Sequence, residues 1–239
     1  MVIDIIFSIN VHEKISFLIK QLKNIQNFVL LNYVIIINAN TDVYHIISND
    51  EFILSQKNII LNPDYLDKKV FHGSLTKGIY LNMKYAMENF KFKYFSVLSS
   101  RSFFYNQLNK NNLNHLVKVK ERLYYEDLNI PTCHWDSFTL TELGKYIINN
   151  NFYFSSHAHE GLTFDYSSCK IILSFLDKND EIKNNLFNWN SCVEEFALQT
   201  ICVNLSDDYF TIGNGTQDMT DNDTSKLPKD RYTYKIRRN

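Results

Sequence analysis

The stretch that most restricts the fold is "VLLNYVIIINAN" at 29–40, an almost unbroken apolar run that ends in Asn38 and Asn40. Runs of this kind are typical of strands that are buried on both faces of a parallel sheet. The run contains Asn32 and is far shorter than the ~20 residues that a helix needs to cross a bilayer. It therefore predicts a buried sheet strand rather than a membrane span.

Strand and helix patterns alternate on both sides of this run. Residues 4–9 read as a first strand, and 12–25 carry apolar residues at helical spacing on one face. A short strand at 58–62, a helix at 79–90 and a strand at 92–100 follow. The alternation predicts an α/β fold with an open twisted sheet, in which ligands bind beyond the carboxyl ends of the strands.

The second half of the chain has a mixed pattern. Thr139 and Glu142 form a capping-box signature, which predicts a helix over about 140–148. The stretch "VEEFALQTICVNL" at 193–205 has helical periodicity.

The length and the composition predict one domain over 1–239. With 45% hydrophobic residues and only 6 Gly and 3 Pro in 239 residues, the chain can bury a large core. We interpret 206–230 as a polar loop and 231–239 as a basic C-terminal tail.

Charge and cysteine content exclude several classes of protein. The formal net charge of −1 provides no global field that would attract nucleic acid or anionic lipid. The four cysteines have no C-x-x-C spacing, so we expect reduced thiols. The amino terminus has an acid at Asp4 and no positively charged lead, which is a poor signal peptide and favours a cytoplasmic location.

Familiar nucleotide and metal motifs are missing or weak. Neither G-x-G-x-x-G nor G-x-x-x-x-G-K-[ST] follows the first strand, which disfavours a dinucleotide fold or a P-loop enzyme. The strand at 92–100 ends without an acidic ligand pair, and "DND" at 221–223 falls in the polar loop. His157 and His159 beside Glu160 have metal-pair spacing, but no third ligand has convincing spacing. The segment 72–74 before the 79–90 helix fits either a backbone phosphate contact or a plain turn.

Glu194 and Glu195 are adjacent acids directly ahead of an apolar run. Acids favour the first turn of a helix, where the helix dipole stabilises negative charge. Alternatively, one of the two is a general base. The residues alone leave both interpretations open.

Several segments together resemble the core-2/I-branching glycosyltransferases. The stretch from Gly161 to Ile201, "GLTFDYSSCKIILSFLDKNDEIKNNLFNWNSCVEEFALQTI", is similar to the family segment that ends in Pro-Asp-Glu-aromatic and a Thr. "FKYFSVLSSRSFFYNQL" and "GSLTKGIYLNMKYAMEN" resemble a family strand and turn and the helix before them. "DIIFSINVHEK" and "YVIIINANTD" match the family's first two strands in pattern, so the resemblance covers about 4–205.

The resemblance implies a GT-A-like sheet and an inverting sugar transfer. The donor would be a UDP-sugar of the N-acetylglucosamine or xylose type, and the acceptor a hydroxyl of a glycan. The family's chemistry implies neither a metal nor another cofactor. By alignment with the family, Glu195 would be the general base, with Glu194 as its support or as a helix cap.

The resemblance also assigns a nucleotide side to the site. The diphosphate would be bound by late basic residues, of which Arg231 and Lys235 are favoured and Arg237 is a further candidate; the alternative is a solvated basic tail. Asn38 and Asn40 stand where the family has an acidic uridine or ribose contact. A further candidate, Arg101, would meet either a phosphate or a surface acid.

On the acceptor side, His157, His159 and Glu160 would bind sugar hydroxyls, and Trp135 would stack on a sugar ring. A rival hypothesis is a non-catalytic carbohydrate- or nucleotide-binding module with the same fold. A transferase that acts on a modified nucleic-acid base is a third, which the near-neutral charge disfavours.

Overall fold

The structure is a computed structural model, and the residues that it describes are 2–12, 14–113, 123–124, 135–155, 160–205, 217–219 and 232–236.

The strands are β1 Ile3–Val11, β2 Tyr33–Ala39, β3 Ile59–Leu61, β4 Phe92–Ser99, β5 Ser102–Phe104, β6 Leu123–Tyr124, β7 Tyr153–Phe154, β8 Thr163–Asp165, β9 Gln217–Met219 and β10 Thr233–Ile236. The helices are α1 Ile15–Phe28, α2 Thr41–Ile47, α3 Glu51–Leu54, α4 Ser74–Asn89, α5 Trp135–Leu140, α6 Glu142–Asn149, α7 Tyr166–Lys178, α8 Asp180–Phe187 and α9 Ala197–Leu205. A 3-10 turn, Val193–Glu195, precedes α9.

The main sheet has five strands in the order β3-β2-β1-β4-β8. The first four are parallel to one another, and β8 runs antiparallel to β4. Helices flank the sheet, so the predicted fold class is confirmed: α/β, with an open, mostly parallel, GT-A-like sheet. The described residues contain no helix long and apolar enough to cross a membrane.

The two faces of the sheet bury separate hydrophobic clusters, as a doubly covered parallel sheet requires. Ile5, Phe7 and Ile9 of β1 pack on the α1 side, whereas Ile6 packs on the α4 side. These side chains are at most 1% exposed, and full burial of each contributes roughly 1.5–3 kcal/mol.

A buried polar network joins α4 to the sheet. Asn82 donates from Nδ2 to Ser8 Oγ at 3.0 Å and to the Ile36 carbonyl at 3.2 Å, and its Oδ1 accepts from Asn62 at 2.9 Å. This network fixes α4 against the middle of β1 and β2 and against Asn62, which follows β3. The helix begins at Ser74, five residues before the predicted start.

Two helix predictions were wrong in detail. The N-cap of α6 is Thr141, whose Oγ1 accepts from the Gly144 N–H at 3.0 Å, so the predicted Thr139 capping box does not form. A Cβ on Gly144 would lie 2.0 Å from the Phe138 carbonyl. This close approach of α5 to α6 requires a glycine here and places the break between the two helices at Thr141. The predicted helix over 193–205 is likewise broken, because Phe196 leaves helical geometry with φ −139°.

The predicted basic tail contains a strand. β10 is the middle strand of a three-stranded sheet, antiparallel to β5 and parallel to β9, and Tyr232 and Thr233 are buried. The interpretation of this part as a solvated tail therefore does not hold for 232–236. The short strand β9 likewise falls inside the predicted polar loop, and the other residues of 206–231 lie outside the described residues.

Candidate functional site

The carboxyl ends of β1, β2 and β4 meet at one edge of the main sheet. β2 and β3 lie on one side of β1, and β4 lies on the other side. The direction in which successive strands are added to the sheet therefore reverses between β1 and β4. Crevices at such a point are the usual ligand sites of open α/β sheets.

The acidic pair lies in the 3-10 turn that contacts α4. Glu194 is 3% exposed, and Glu195 is half-buried. The Glu195 N–H donates to the Cys192 carbonyl at 3.2 Å, and the Glu195 carbonyl accepts from the Gln199 side chain. The first turn of α9 contains no acid, so these residues do not cap that helix from within its first turn.

Cys192 is a third potential metal ligand beside Glu194 and Glu195. One donor atom each of Cys192, Glu194 and Glu195 lie within 4.8 Å of one another, and this is the one such set within the described part of the chain. A thiolate and carboxylates are donors that zinc accepts. The predicted absence of a metal therefore stays a prediction.

The candidate residues Glu160 and Lys235 come together as an ion pair. Glu160 is 4% exposed and lies just before Gly161, whose N–H donates to the Val97 carbonyl of β4. Lys235 reaches it from β10. The structure thus brings an expected acceptor residue and an expected phosphate residue to the same end of β4, where they compensate each other's charge.

Arg101 lies at the same end of β4 and is tied to β10. Its Nη1 donates to the Ile236 carbonyl at 2.8 Å, and the Ile236 N–H donates to the Arg101 carbonyl at 3.2 Å. The guanidinium is therefore positioned by backbone as part of the β5 and β10 layer.

Asn38 and Asn40 hold a neighbouring segment of the chain. Asn38 donates from Nδ2 to the Asp64 carbonyl at 3.0 Å, and its Oδ1 accepts from Lys68 Nζ at 2.9 Å. The Oδ1 of Asn40 accepts from the Lys68 N–H at 2.9 Å. Both amides are thus engaged in fixing the 64–68 segment on the carboxyl end of β2.

Lys68 is the residue of this edge that the sequence analysis missed. It is 5% exposed, and its Nζ also donates to the Leu66 carbonyl at 2.8 Å. Burial lowers the pKa of Lys68 to about 7, against a smaller opposing effect of the Asp67 charge. The two acceptors match the two N–H bonds of a neutral amine.

A cleft of about 600 Å³ opens at the ends of β1 and β2. Its lining residues come from the start of α1 and from α2: His12, Lys14, Ile15, Ser16, Asp42, Val43 and Ile46. The cleft therefore offers a lysine, a carboxylate, an imidazole, a hydroxyl and apolar side chains at the sheet edge. The polar residues His12 and Lys14, directly after the first strand, were the signal that could have identified it.

The segment 72–74 forms a turn rather than an open phosphate cradle. His72 Nδ1 accepts from the Ser74 N–H at 3.0 Å, which occupies the first amide of α4. Burial, with a smaller effect of Lys69, lowers the pKa of His72, which favours the neutral ring that this hydrogen bond requires.

The remaining candidates are not tested by the geometry. Arg231, Arg237, His157 and His159 lie outside the described residues, and Trp135 is described only as the first residue of α5. Trp189 packs against the hydrophobic cluster on the α4 side. Among the described cysteines, Cys169 and Cys202 are free and buried, in agreement with the expected thiols, and Cys192 is buried as well.

Neither a family model nor a curated protein matches the chain in sequence comparisons.

Proposed function

We propose that this protein is an inverting glycosyltransferase that moves a sugar from a UDP-sugar to a hydroxyl of a glycan acceptor. The observation that carries the proposal is the position of the Glu194–Glu195 turn against α4, on a GT-A-like sheet whose carboxyl edge also carries an open cleft. The resemblance to core-2/I-branching glycosyltransferases supports the same chemistry and favours N-acetylglucosamine or xylose as the transferred sugar.

In this proposal the nucleotide occupies the cleft at the ends of β1 and β2. Asp42 would accept hydrogen bonds from the ribose hydroxyls, and Lys14 would meet the diphosphate at the start of α1. A helix N-terminus adds unpaired N–H groups that favour an anion. Asn38 and Asn40 then act indirectly, because they hold the adjoining 64–68 segment.

Glu195 takes the acceptor's proton. In an inverting transfer the acceptor oxygen attacks the anomeric carbon opposite the leaving diphosphate, and a carboxylate within hydrogen-bond reach must accept the hydroxyl proton. Glu195 is the more exposed member of the pair and so the one that an acceptor can reach. Glu194 supports the turn from its buried position.

Charge that develops on the leaving UDP needs cations or backbone N–H groups nearby. Lys235 and Arg101 are the described candidates at the end of β4. The buried partner Glu160 fixes the position of Lys235, at the cost of some of its attraction for phosphate.

The test is a donor screen followed by two substitutions. UDP release is measured for common UDP-sugars with a panel of simple sugar acceptors. Glu195→Gln keeps the shape of the side chain but removes the proton acceptor, so turnover should fall roughly 10²–10⁴-fold with UDP-sugar affinity unchanged. Glu194→Gln is the matched control and should act mainly on the melting temperature.

The outcomes separate the alternatives. If Glu195→Gln keeps the wild-type turnover and Glu194→Gln loses it, Glu194 is the general base and Glu195 the supporting residue. Turnover that survives both substitutions would remove the pair from the mechanism.

A non-catalytic carbohydrate- or nucleotide-binding module is the second candidate. The observation that favours it is the Glu160–Lys235 pair, since a compensated lysine is a weaker stabiliser of a leaving phosphate. UDP binding without UDP release from any donor and acceptor in the screen would establish this alternative.

A further inference from the structure

Phe71 combines an unfavourable backbone conformation with an exposed ring. Its φ is 54°, in the left-handed region that bulky L residues rarely adopt. The residue is 69% exposed, so burial of the ring gives little stabilisation in return. Folding alone gives no reason for a phenylalanine here. The other non-glycine residue with positive φ in the described chain is Asn151, a residue type that tolerates this conformation.

The chain on the C-terminal side of Phe71 is fixed in place. The Gly73 N–H donates to the Trp189 carbonyl at 2.8 Å, and a Cβ on Gly73 would lie 1.8 Å from the Leu186 carbonyl. The Ser74 side chain accepts from the Lys69 N–H at 3.0 Å, which closes the loop from the other side. The loop that presents Phe71 is thus held against the end of α8.

The same contacts connect the Phe71 loop to the segment that leads into the acidic turn. Trp189, to which the loop is bonded, precedes the acidic 3-10 turn by only a few residues. That turn contacts α4, the helix that begins directly after the Phe71 loop. The Phe71 loop and the acidic turn therefore both adjoin α4, and the Gly73–Trp189 hydrogen bond connects the segments that lead to them.

We propose that the Phe71 ring is a stacking platform for a sugar ring of the acceptor, an inference that rests on the proposed glycosyltransferase function. The C–H bonds on one face of a pyranose are weakly positive and meet the negative face of an aromatic ring. The contacts of Lys69, Gly73 and Ser74 fix the backbone on both sides of Phe71, which lowers the entropic cost of binding. Backbone strain of this kind is retained where the surrounding structure enforces it and function uses it.

The experiment uses the full chain in the presence of UDP, with methyl β-D-galactopyranoside, methyl β-D-glucopyranoside, methyl α-D-mannopyranoside and lactose as probes. Saturation-transfer NMR measures binding of each probe, calorimetry measures UDP affinity, and thermal unfolding measures stability. The variants are Phe71→Ala, Phe71→Trp and Phe71→Asn. Leu54→Ala, at another exposed apolar residue on α3, is the matched control.

We expect at least one probe to bind the wild type with saturation on the C–H protons of one ring face. Phe71→Ala and Phe71→Asn should weaken that binding by about tenfold or more, whereas Phe71→Trp and Leu54→Ala should retain it. Phe71→Asn should melt no lower than the wild type, because Asn tolerates positive φ. This separates loss of the ring from loss of the fold.

Two results would overturn the inference: no probe binds the wild type, or Phe71→Ala binds the probes as the wild type does. Unchanged UDP affinity in those samples would leave the proposed function standing. If the wild type does not bind UDP at all, the proposed function is wrong.

Discussion

Lys68 shows how a single residue at the site edge escapes sequence reasoning. In "LDKKVFHG" it reads as one of two solvated lysines, and nothing local distinguishes it from Lys69. The structure buries Lys68 among neutral acceptors and leaves Lys69 exposed. Its burial depends on Asn38 and Asn40, which lie about thirty residues earlier, so a long-range contact decides the environment.

The lowered pKa of Lys68 predicts a pH dependence of stability. Below about pH 7 both the folded and the unfolded chain carry this proton, so stability is independent of pH at this site. Between about 7 and the ordinary value of 10.5, only the unfolded chain holds the proton, and the free energy of unfolding rises with pH. The slope is at most about 1.4 kcal/mol per pH unit.

Denaturant unfolding of Lys68→Met and the wild type, measured from about pH 6 to about pH 9, tests this linkage. The difference in the free energy of unfolding between Lys68→Met and the wild type should change across the upper part of this range. Lys69→Met should show the same pH dependence as the wild type. The range ends there because Cys202, whose pKa burial raises to about 12, destabilises the fold at higher pH. A constant difference between Lys68→Met and the wild type would show that Lys68 keeps its charge in the folded chain.

At the scale of elements, strands with unbroken apolar runs were predicted within a few residues of their observed ends. β1, β2 and β4 are buried on both faces, so their composition alone defines them. The break at Phe196 was not predictable in this way. Its ring packs on Phe138 and Phe154, with centroids 5.2 and 6.2 Å away, and this tertiary contact overrides the helical periodicity of 193–205.

β10 was missed for a related reason. It has only four residues and no apolar run, and the strand exists through its pairing with β5, far earlier in the chain. Removal of 231–239, the obvious test of a basic tail, would therefore also remove the central strand of the small sheet. Point substitutions in the Glu160–Lys235 pair are the cleaner test.

Lys235→Met removes the cation that pairs with the buried Glu160 carboxylate, and it should destabilise the fold by up to about 3–5 kcal/mol. Adding Glu160→Gln should restore most of that loss, as measured by denaturant unfolding. If Lys235 also contacts the diphosphate, the double variant should bind UDP about 1.5–3 kcal/mol more weakly and uridine equally well. Equal UDP affinity of the double variant and the wild type in calorimetry would make the pair purely structural.

At the scale of the whole molecule, the sheet order determines which parts of the sequence can share a site. The order β3-β2-β1-β4-β8 brings the ends of β1 and β4, at Val11 and Ser99, together although they are far apart in the chain. Arg101 was chosen as a candidate because it follows a strand. Since parallel strands end at the same edge of the sheet, it lies at the carboxyl edge. The cleft between α1 and α2 needed the three-dimensional packing of both helices and was not predicted.

Thermal unfolding can measure nucleotide binding by this protein. A ligand that binds only the folded state raises the melting temperature, so UDP should do so, and by the same amount in EDTA as in Mn²⁺. Asp42→Asn and Lys14→Met should reduce the shift, because both side chains line the cleft, whereas Glu51→Gln on α3 should not. A shift that requires Mn²⁺ would make the metal-free hypothesis wrong. It would direct the next substitutions to Cys192, Glu194 and Glu195, whose donor atoms already lie within 4.8 Å of one another.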